Sequence, residues 1–251
     1  MRGHLGVADA DGAAVTARHP MDCYITPACA GLAIRHWMMA APGIAHHPFL
    51  DPFAGPGFLL QTGAPLGRAV YAFELDQSWH DELRTRVPAY NIRIGRDSLA
   101  MDWSVRGGKV RPHILTNNPY GVTVQSIEKA RDYAYTHERY AALLLRVDVL
   151  HHPGREALEP DVKLSMRWRP KFAFHEVRRR DKDTGQMVPT GKLALGSDMS
   201  AYTWAIWNPK PTGETREVYV SKPDVPLDLE AEHRRLALLA YYKGAAMAQG
   251  A

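Results

Sequence analysis

The chain has 251 residues, of which 45% are hydrophobic and 23% charged, with a net charge of +4. That is chain enough for one domain with a large core; it excludes a disordered or fibrous protein, and the small basic excess permits a polyanionic partner without demanding one. Two cysteines, Cys23 and Cys29, exclude a disulfide framework or a zinc set and point to reduced thiols in the cytoplasm, and no apolar run reaches membrane-spanning length or marks a secretory signal.

Residues 1–21 are small, polar and aperiodic, and read as a flexible arm before a single domain over 22–251. Apolar residues at helical spacing (Leu32, Ile34, Trp37, Met38) predict a helix over Ala28–Ala41, with Thr26 as its cap and Pro27 at its first position. Tyr24 and Thr26-Pro27 are candidates for one wall of a cofactor pocket. The short run Pro48-Phe49-Leu50 then leads into Asp51-Pro52-Phe53-Ala54-Gly55-Pro56-Gly57, which reads as strand, glycine turn and helix start. Glycine serves where the backbone turns tightly or a ligand approaches it closely, and an acid at a strand end reads a hydroxyl or an amine.

Arg68–Leu75 predicts a second parallel strand ending at Glu74-Leu75-Asp76. Glu74 is the candidate for ribose hydroxyls, and Asp76 caps a helix predicted over Gln77–Val87. A third strand, Asn91–Ile94, carries Asp97 just beyond its end, and a fourth, His113–Thr116, ends in Asn117-Asn118-Pro119-Tyr120-Gly121. Residues 122–138 are helix-compatible, with Lys129, Arg131 and Tyr133 able to face a substrate or solvent. Ala141–Val147 predicts a buried fifth strand. The pairs His46-His47 and His151-His152 complete no metal-ligand set, so no metal is expected. Pro170–Val177 and Ala201–Trp207 suggest a hairpin pair closing the sheet. Between them Arg178, Arg179, Arg180 and Lys182 form the strongest basic cluster, a candidate for phosphate contact on an exposed loop. Trp204 and Trp207 read as core, and Glu230–Gln249 holds a final helix.

Asp-Pro-Phe-Ala-Gly-Pro-Gly, Glu-Leu-Asp, Gly-Arg-Asp and Asn-Asn-Pro-Tyr follow in that order, each after a strand. Together they resemble the class I S-adenosylmethionine-dependent methyltransferases over about residues 22–210. The last motif resembles the Asn-Pro-Pro-Tyr of enzymes that methylate amino nitrogens, above all DNA adenine methyltransferases of the compact kind found in phages. Tyr24-Ile25-Thr26-Pro27 resembles the aromatic-x-Thr-Pro segment that precedes the glycine motif in many of them. The resemblance implies a Rossmann-like α/β fold with a central, mostly parallel seven-stranded sheet whose last strand is reversed. It implies S-adenosylmethionine as cofactor, held by Tyr24, Thr26, Asp51, Pro52, Ala54, Gly55, Gly57, Glu74 and Asp97, with Asp97 on the adenine amino group. It implies that Asn117, Asn118, Pro119 and Tyr120 hold the target amine, Asn117 through its side-chain carbonyl, Asn118 through its backbone carbonyl and Tyr120 by stacking on an extruded base.

The family usually has Pro where this chain has Asn118. A second register is therefore open, in which Asn118 binds the amine; Asn117 keeps the family's spacing to Tyr120. DNA is the expected partner, with a recognition hairpin or loop within 151–200. The alternatives are another amino acceptor (cytosine in DNA, an RNA base or a protein glutamine) and a non-catalytic nucleic-acid-binding relative.

Overall fold

A computed structural model describes residues 24–181, 184–196 and 201–249. The apolar runs between turn residues become strands β1 (Phe49–Asp51), β2 (Val70–Glu74), β3 (Ile92–Ile94), β4 (His113–Thr116) and β5 (Ala141–Arg146). Five more follow: β6 (Val162–Met166), β7 (Ala173–Arg180), β8 (Met187–Gly196), β9 (Tyr202–Trp207) and β10 (Arg216–Val220). The helices are α1 (Ala28–Ala40), α2 (Phe58–Gly63), α3 (His80–Arg84), α4 (Thr123–His137), α5 (Val147–Leu150) and α6 (Leu227–Gln249).

Eight strands form one sheet in the order β3-β2-β1-β4-β5-β9-β6-β10. Neighbours run parallel throughout, except that β9 is antiparallel to both β5 and β6. This is the Rossmann-like, mostly parallel α/β sheet expected, with eight strands in place of seven. The reversed strand is β9, and β10 comes after it, pairing in parallel with β6 at the edge. β10 has no apolar run because it is an edge strand, with Arg216, Glu217 and Tyr219 exposed. Strand order reverses at β1, between β2 and β4. Open α/β sheets bind ligands beyond the carboxyl ends of the strands at such a point.

Both faces of the sheet are covered, so its central strands are apolar throughout. On one face Ile34 and Met38 of α1 and Leu59 and Leu60 of α2 pack on Phe49, Ala142, Leu144 and Trp204. On the other, Ile127, Ala130 and Ala134 of α4 pack on Leu50, Ile114, Leu143 and Trp207. Trp204 and Trp207 are fully buried, and Trp204 donates its indole N–H to the Ala30 carbonyl at 3.1 Å. Truncating such a tryptophan to alanine costs about 3–5 kcal/mol. A third cluster joins Leu236, Ala237 and Ala240 of α6 to Ile25, Phe58 and Trp79.

The local expectations hold unevenly. α1 starts one residue after Pro27, which is its N-cap, and Thr26 makes no cap hydrogen bond. Asp76 does cap, accepting from the Ser78 amide and hydroxyl at 2.9 Å, but the helix it opens is broken into a 3-10 turn, Gln77–Trp79, and the short α3. The expected hairpin is corrected outright. β7 pairs with β8 in a separate two-stranded ribbon, with Arg178 opposite Pro189 and Arg180 opposite Met187, while β9 lies inside the main sheet. Arg178–Arg180 thus belong to a strand and not to a loop. Lys182 and residues 1–23, including the expected flexible arm and Cys23, lie outside the described residues.

Candidate active site at the carboxyl ends of the strands

A cavity of about 370 Å³ opens where β1, β2, β3 and β4 end, a size that suits a small-molecule ligand. The glycine turn after β1 forms its floor. Gly55 and Gly57 have φ of 50° and 79°, in the left-handed region that glycine enters without strain. Pro52, Ala54 and Gly55 line the cavity. Gly57 does not. A Cβ there would come within 2.7 Å of Leu83 Cδ1, so this glycine lets α3 pack against the turn.

The acids converge as their positions at strand ends require. Asp51, 1% exposed, accepts from the Thr116 hydroxyl at 2.6 Å and the Phe53 amide at 3.0 Å. Burial pushes its carboxyl up to about 7 despite those hydrogen bonds, and the neighbouring Glu74 charge adds to the rise. Among the described residues no cation pairs with it. Glu74 accepts from the Gly55 amide at 2.6 Å through one oxygen and from the Asp76 amide at 2.7 Å through the other. Burial raises its carboxyl as well. The second strand thereby braces the glycine turn of the first, and each carboxylate oxygen keeps a lone pair for a ligand hydroxyl. Asp97 is exposed at the rim and turns its own loop by accepting from the Leu99 amide at 2.9 Å. Beside it Ser98 is 4% exposed and lines the cavity, and among the described residues its hydroxyl has no hydrogen-bond partner.

Tyr24 and Thr26 line the opposite wall. Asn117 and Pro119 reach the cavity from β4. The Asn117 side-chain amide donates to the Tyr24 carbonyl at 3.2 Å, which leaves its carbonyl oxygen to accept from elsewhere. The Asn118 side chain turns the other way. It is 4% exposed and donates to the Thr123 hydroxyl and the Pro119 carbonyl, each at 3.1 Å. Of the two registers open in the sequence, the cavity therefore receives the side chain of Asn117. The Tyr120 ring lies 5.3 Å from that of Tyr24, and its hydroxyl meets the Tyr202 hydroxyl at 2.8 Å.

Three side chains considered for substrate binding do other work. Lys129 donates from α4 to the carbonyls of Ser98 at 3.2 Å and Leu99 at 2.7 Å, and also to Met101, and so holds the loop that carries Asp97. Arg131 donates to the Ala157 carbonyl, and Tyr133 to the Pro112 carbonyl deep in the core. Sequence reasoning missed Phe58, Trp79 and Leu75, which line the cavity, and, although it placed a final helix over Glu230–Gln249, it did not place α6 behind the cavity. His233 of α6 stacks on Phe58, Lys243 lies 3.8 Å above the Trp79 ring, and Arg235 forks onto Glu82 at 2.7 and 2.8 Å. No motif marks these residues.

Among the described residues no group of three or more His, Cys, Asp or Glu could hold a metal ion, and no helix is long and apolar enough to cross a membrane. No family model matches the chain, and no curated protein does. It is similar to several solved structures. One is a SAM-dependent O-methyltransferase from Thermotoga maritima, 13% identical over 71% of this chain and 64% of that one, with a TM-score of 0.38. Another is a tRNA (m1A58) methyltransferase from Aquifex aeolicus, 12% identical over 72% and 68%, with a TM-score of 0.40. A third is precorrin-6y C5,15-methyltransferase from Geobacter metallireducens, 12% identical over 64% and 79%, with a TM-score of 0.36.

Proposed function

We propose that this protein transfers a methyl group from S-adenosylmethionine to the exocyclic amino group of adenine in DNA. The observation that carries the reading is Asn117. Its side chain lines a cavity walled by three strand-end acids, and its amide nitrogen is already engaged by Tyr24, so that its oxygen is available to an amine N–H.

The residues present fit the cofactor. Asp51 is a buried carboxylate with no cation beside it among the described residues, suited to the ammonium of an amino acid moiety. Glu74 can take two ribose hydroxyls, and Asp97 and the Ser98 hydroxyl, which has no partner among the described residues, suit the polar edge of a purine, flanked by Leu75 and Leu99. Bound there, S-adenosylmethionine supplies an electrophilic methyl carbon.

The chain's own part is to hold the acceptor. An aromatic amine is a weak nucleophile because its lone pair is delocalised into the ring. Acceptors at both N–H bonds, the Asn117 side-chain carbonyl and the Asn118 backbone carbonyl, favour a pyramidal nitrogen and draw on its proton as positive charge develops. Tyr120, whose ring packs on Tyr24 at 5.3 Å, is assigned the stacking of a base swung out of its duplex, which chemistry on a base requires. Positioning then does most of the work. The β7–β8 ribbon, carrying Arg178, Arg179 and Arg180, supports DNA as the partner, because a two-stranded ribbon fits the major groove and arginines neutralise phosphates.

The test is incubation with methyl-labelled S-adenosylmethionine and, separately, unmethylated duplex DNA, single-stranded DNA, RNA and cell protein, with mass identification of the modified nucleoside. N6-methyladenine in DNA is the expected product. Label in RNA or protein, or at cytosine, would overturn the acceptor while keeping the cofactor; no transfer and no cofactor binding would overturn both.

A further inference from the structure

In the acceptor loop the Asn118 side chain turns away from the cavity and towards the start of α4. Asn118 is 4% exposed and Thr123, the first residue of α4, is 7% exposed. The Asn118 amide donates to the Thr123 hydroxyl and to the Pro119 carbonyl, each at 3.1 Å. The Thr123 hydroxyl in turn donates to the Tyr120 carbonyl at 3.0 Å and lies 3.4 Å from the Pro119 carbonyl. These bonds close a small ring around Pro119 and Tyr120. Among the described residues the buried Asn118 side-chain oxygen has no partner, which is unfavourable by itself and marks the side chain as held by its amide.

We propose that Asn118 and Thr123 form a staple that positions the acceptor loop, fixing the direction of the Asn118 backbone carbonyl and the plane of the Tyr120 ring. The inference rests on the acceptor reading above. A proline ring at position 118 would restrict the same backbone covalently. Here two hydrogen bonds to the start of a helix supply the restraint, and α4 is a rigid anchor because Ile127, Ala130 and Ala134 on it are fully buried. Asn118 and Thr123 are thus positioning residues that act through the loop. Among the described residues the Asn118 backbone N–H donates to no carbonyl, so a proline could replace it without breaking a backbone hydrogen bond.

Asn118→Ala, Thr123→Val and the double variant test the staple. Each single variant is expected to lower kcat for DNA methylation by about 10- to 100-fold, up to the scale of a reacting group misplaced by about 1 Å, with the Kd for S-adenosylmethionine unchanged and the double variant no slower than either. Thr123→Ser, which keeps the hydroxyl, and Asn118→Pro, which restores restraint by another route, are each expected to recover most of the loss. A second readout is independent of the acceptor. Hydrogen exchange at the amides of residues 120–123 should speed up in each single variant and no further in the double. Additive effects in exchange, or wild-type exchange in Asn118→Ala, overturn the staple whether or not DNA is the substrate. If the wild type methylates no DNA, the acceptor reading fails and the exchange result still decides the staple. A DNA-active Asn118→Ala variant with wild-type kcat overturns it as well, as does an Asn118→Pro variant as slow as Asn118→Ala.

Discussion

The two ends of the central strands bury titratable groups with opposite consequences. At the carboxyl ends, burial pushes the Asp51 carboxyl up to about 7. At the amino ends, burial pushes the His113 imidazole down to about 3. In each case the charged form is disfavoured by lost hydration. The surroundings differ. Asp51 lines an open cavity, so that a ligand can bring it a cation. His113 sits among His47, Phe49 and Tyr140, at ring separations of 5.3 to 5.5 Å, with Nδ1 accepting from the Tyr140 amide and, among the described residues, no partner for Nε2. A displaced pKa becomes functional where a cavity admits a partner, and is a feature of packing where none can enter.

The largest effect that would sharpen this contrast belongs to Asn117. Asn117→Ala should lower methyl transfer by at least ~100-fold, as loss of an acceptor aimed at developing charge does, with cofactor affinity nearly intact. Calorimetry alongside steady-state rates checks this, and loss of both would make Asn117 a structural residue. Next is the cavity's acid pair. Glu74→Ala should weaken S-adenosylmethionine binding by about 10- to 100-fold, the worth of hydrogen bonds to a carboxylate.

The Asp51 proton gives a pH signature. A bound ammonium favours the carboxylate, so affinity should rise with pH through about 7 and binding should release a proton, with both features flattened in Asp51→Asn. In the ligand-free protein the sign is reversed. The folded pKa lies above the unfolded value, so the stabilising contribution is complete below pH ~4 and is lost as pH rises through about 7.

His113 should respond in the other sense. Its folded pKa lies below the unfolded one, so stability is lost as pH falls from ~6.5 towards 3. His113→Leu should remove that acid dependence while leaving the Tyr140 amide unpaired, at a cost of about 1–3 kcal/mol. Denaturant midpoints across pH measure both, and cofactor affinity should not change. A change in affinity would break the comparison, because it would couple the amino ends to the cavity. The smallest effect concerns the ribbon. Neutralising Arg178, Arg179 and Arg180 should weaken DNA binding and flatten its dependence on log salt by roughly 0.9 for each phosphate left without its arginine. An unchanged slope would make the ribbon's charge an ordinary solvated surface.

Much of this protein was determined by local sequence. Strands such as His113–Thr116 and Ala141–Arg146 are short apolar runs bounded by breakers, and acids placed just after them must reach the carboxyl edge of a parallel sheet. Asp51, Glu74, Asp97 and Asn117 were legible for that reason, because backbone geometry alone carries each to the cavity. Tertiary structure decided what depends on distant partners. The edge strand β10 has no apolar run of its own and exists by pairing with β6. The β7–β8 ribbon left the sheet because Met187–Gly196, and not Ala201–Trp207, is its partner. Lys129 could face solvent on any isolated helix, and was turned to the Ser98 and Leu99 carbonyls by the way α4 lies on the sheet. The choice between Asn117 and Asn118 likewise awaited Thr123 and the Tyr24 carbonyl. Adjacent side chains diverge, and only packing decides which of the two meets the cavity.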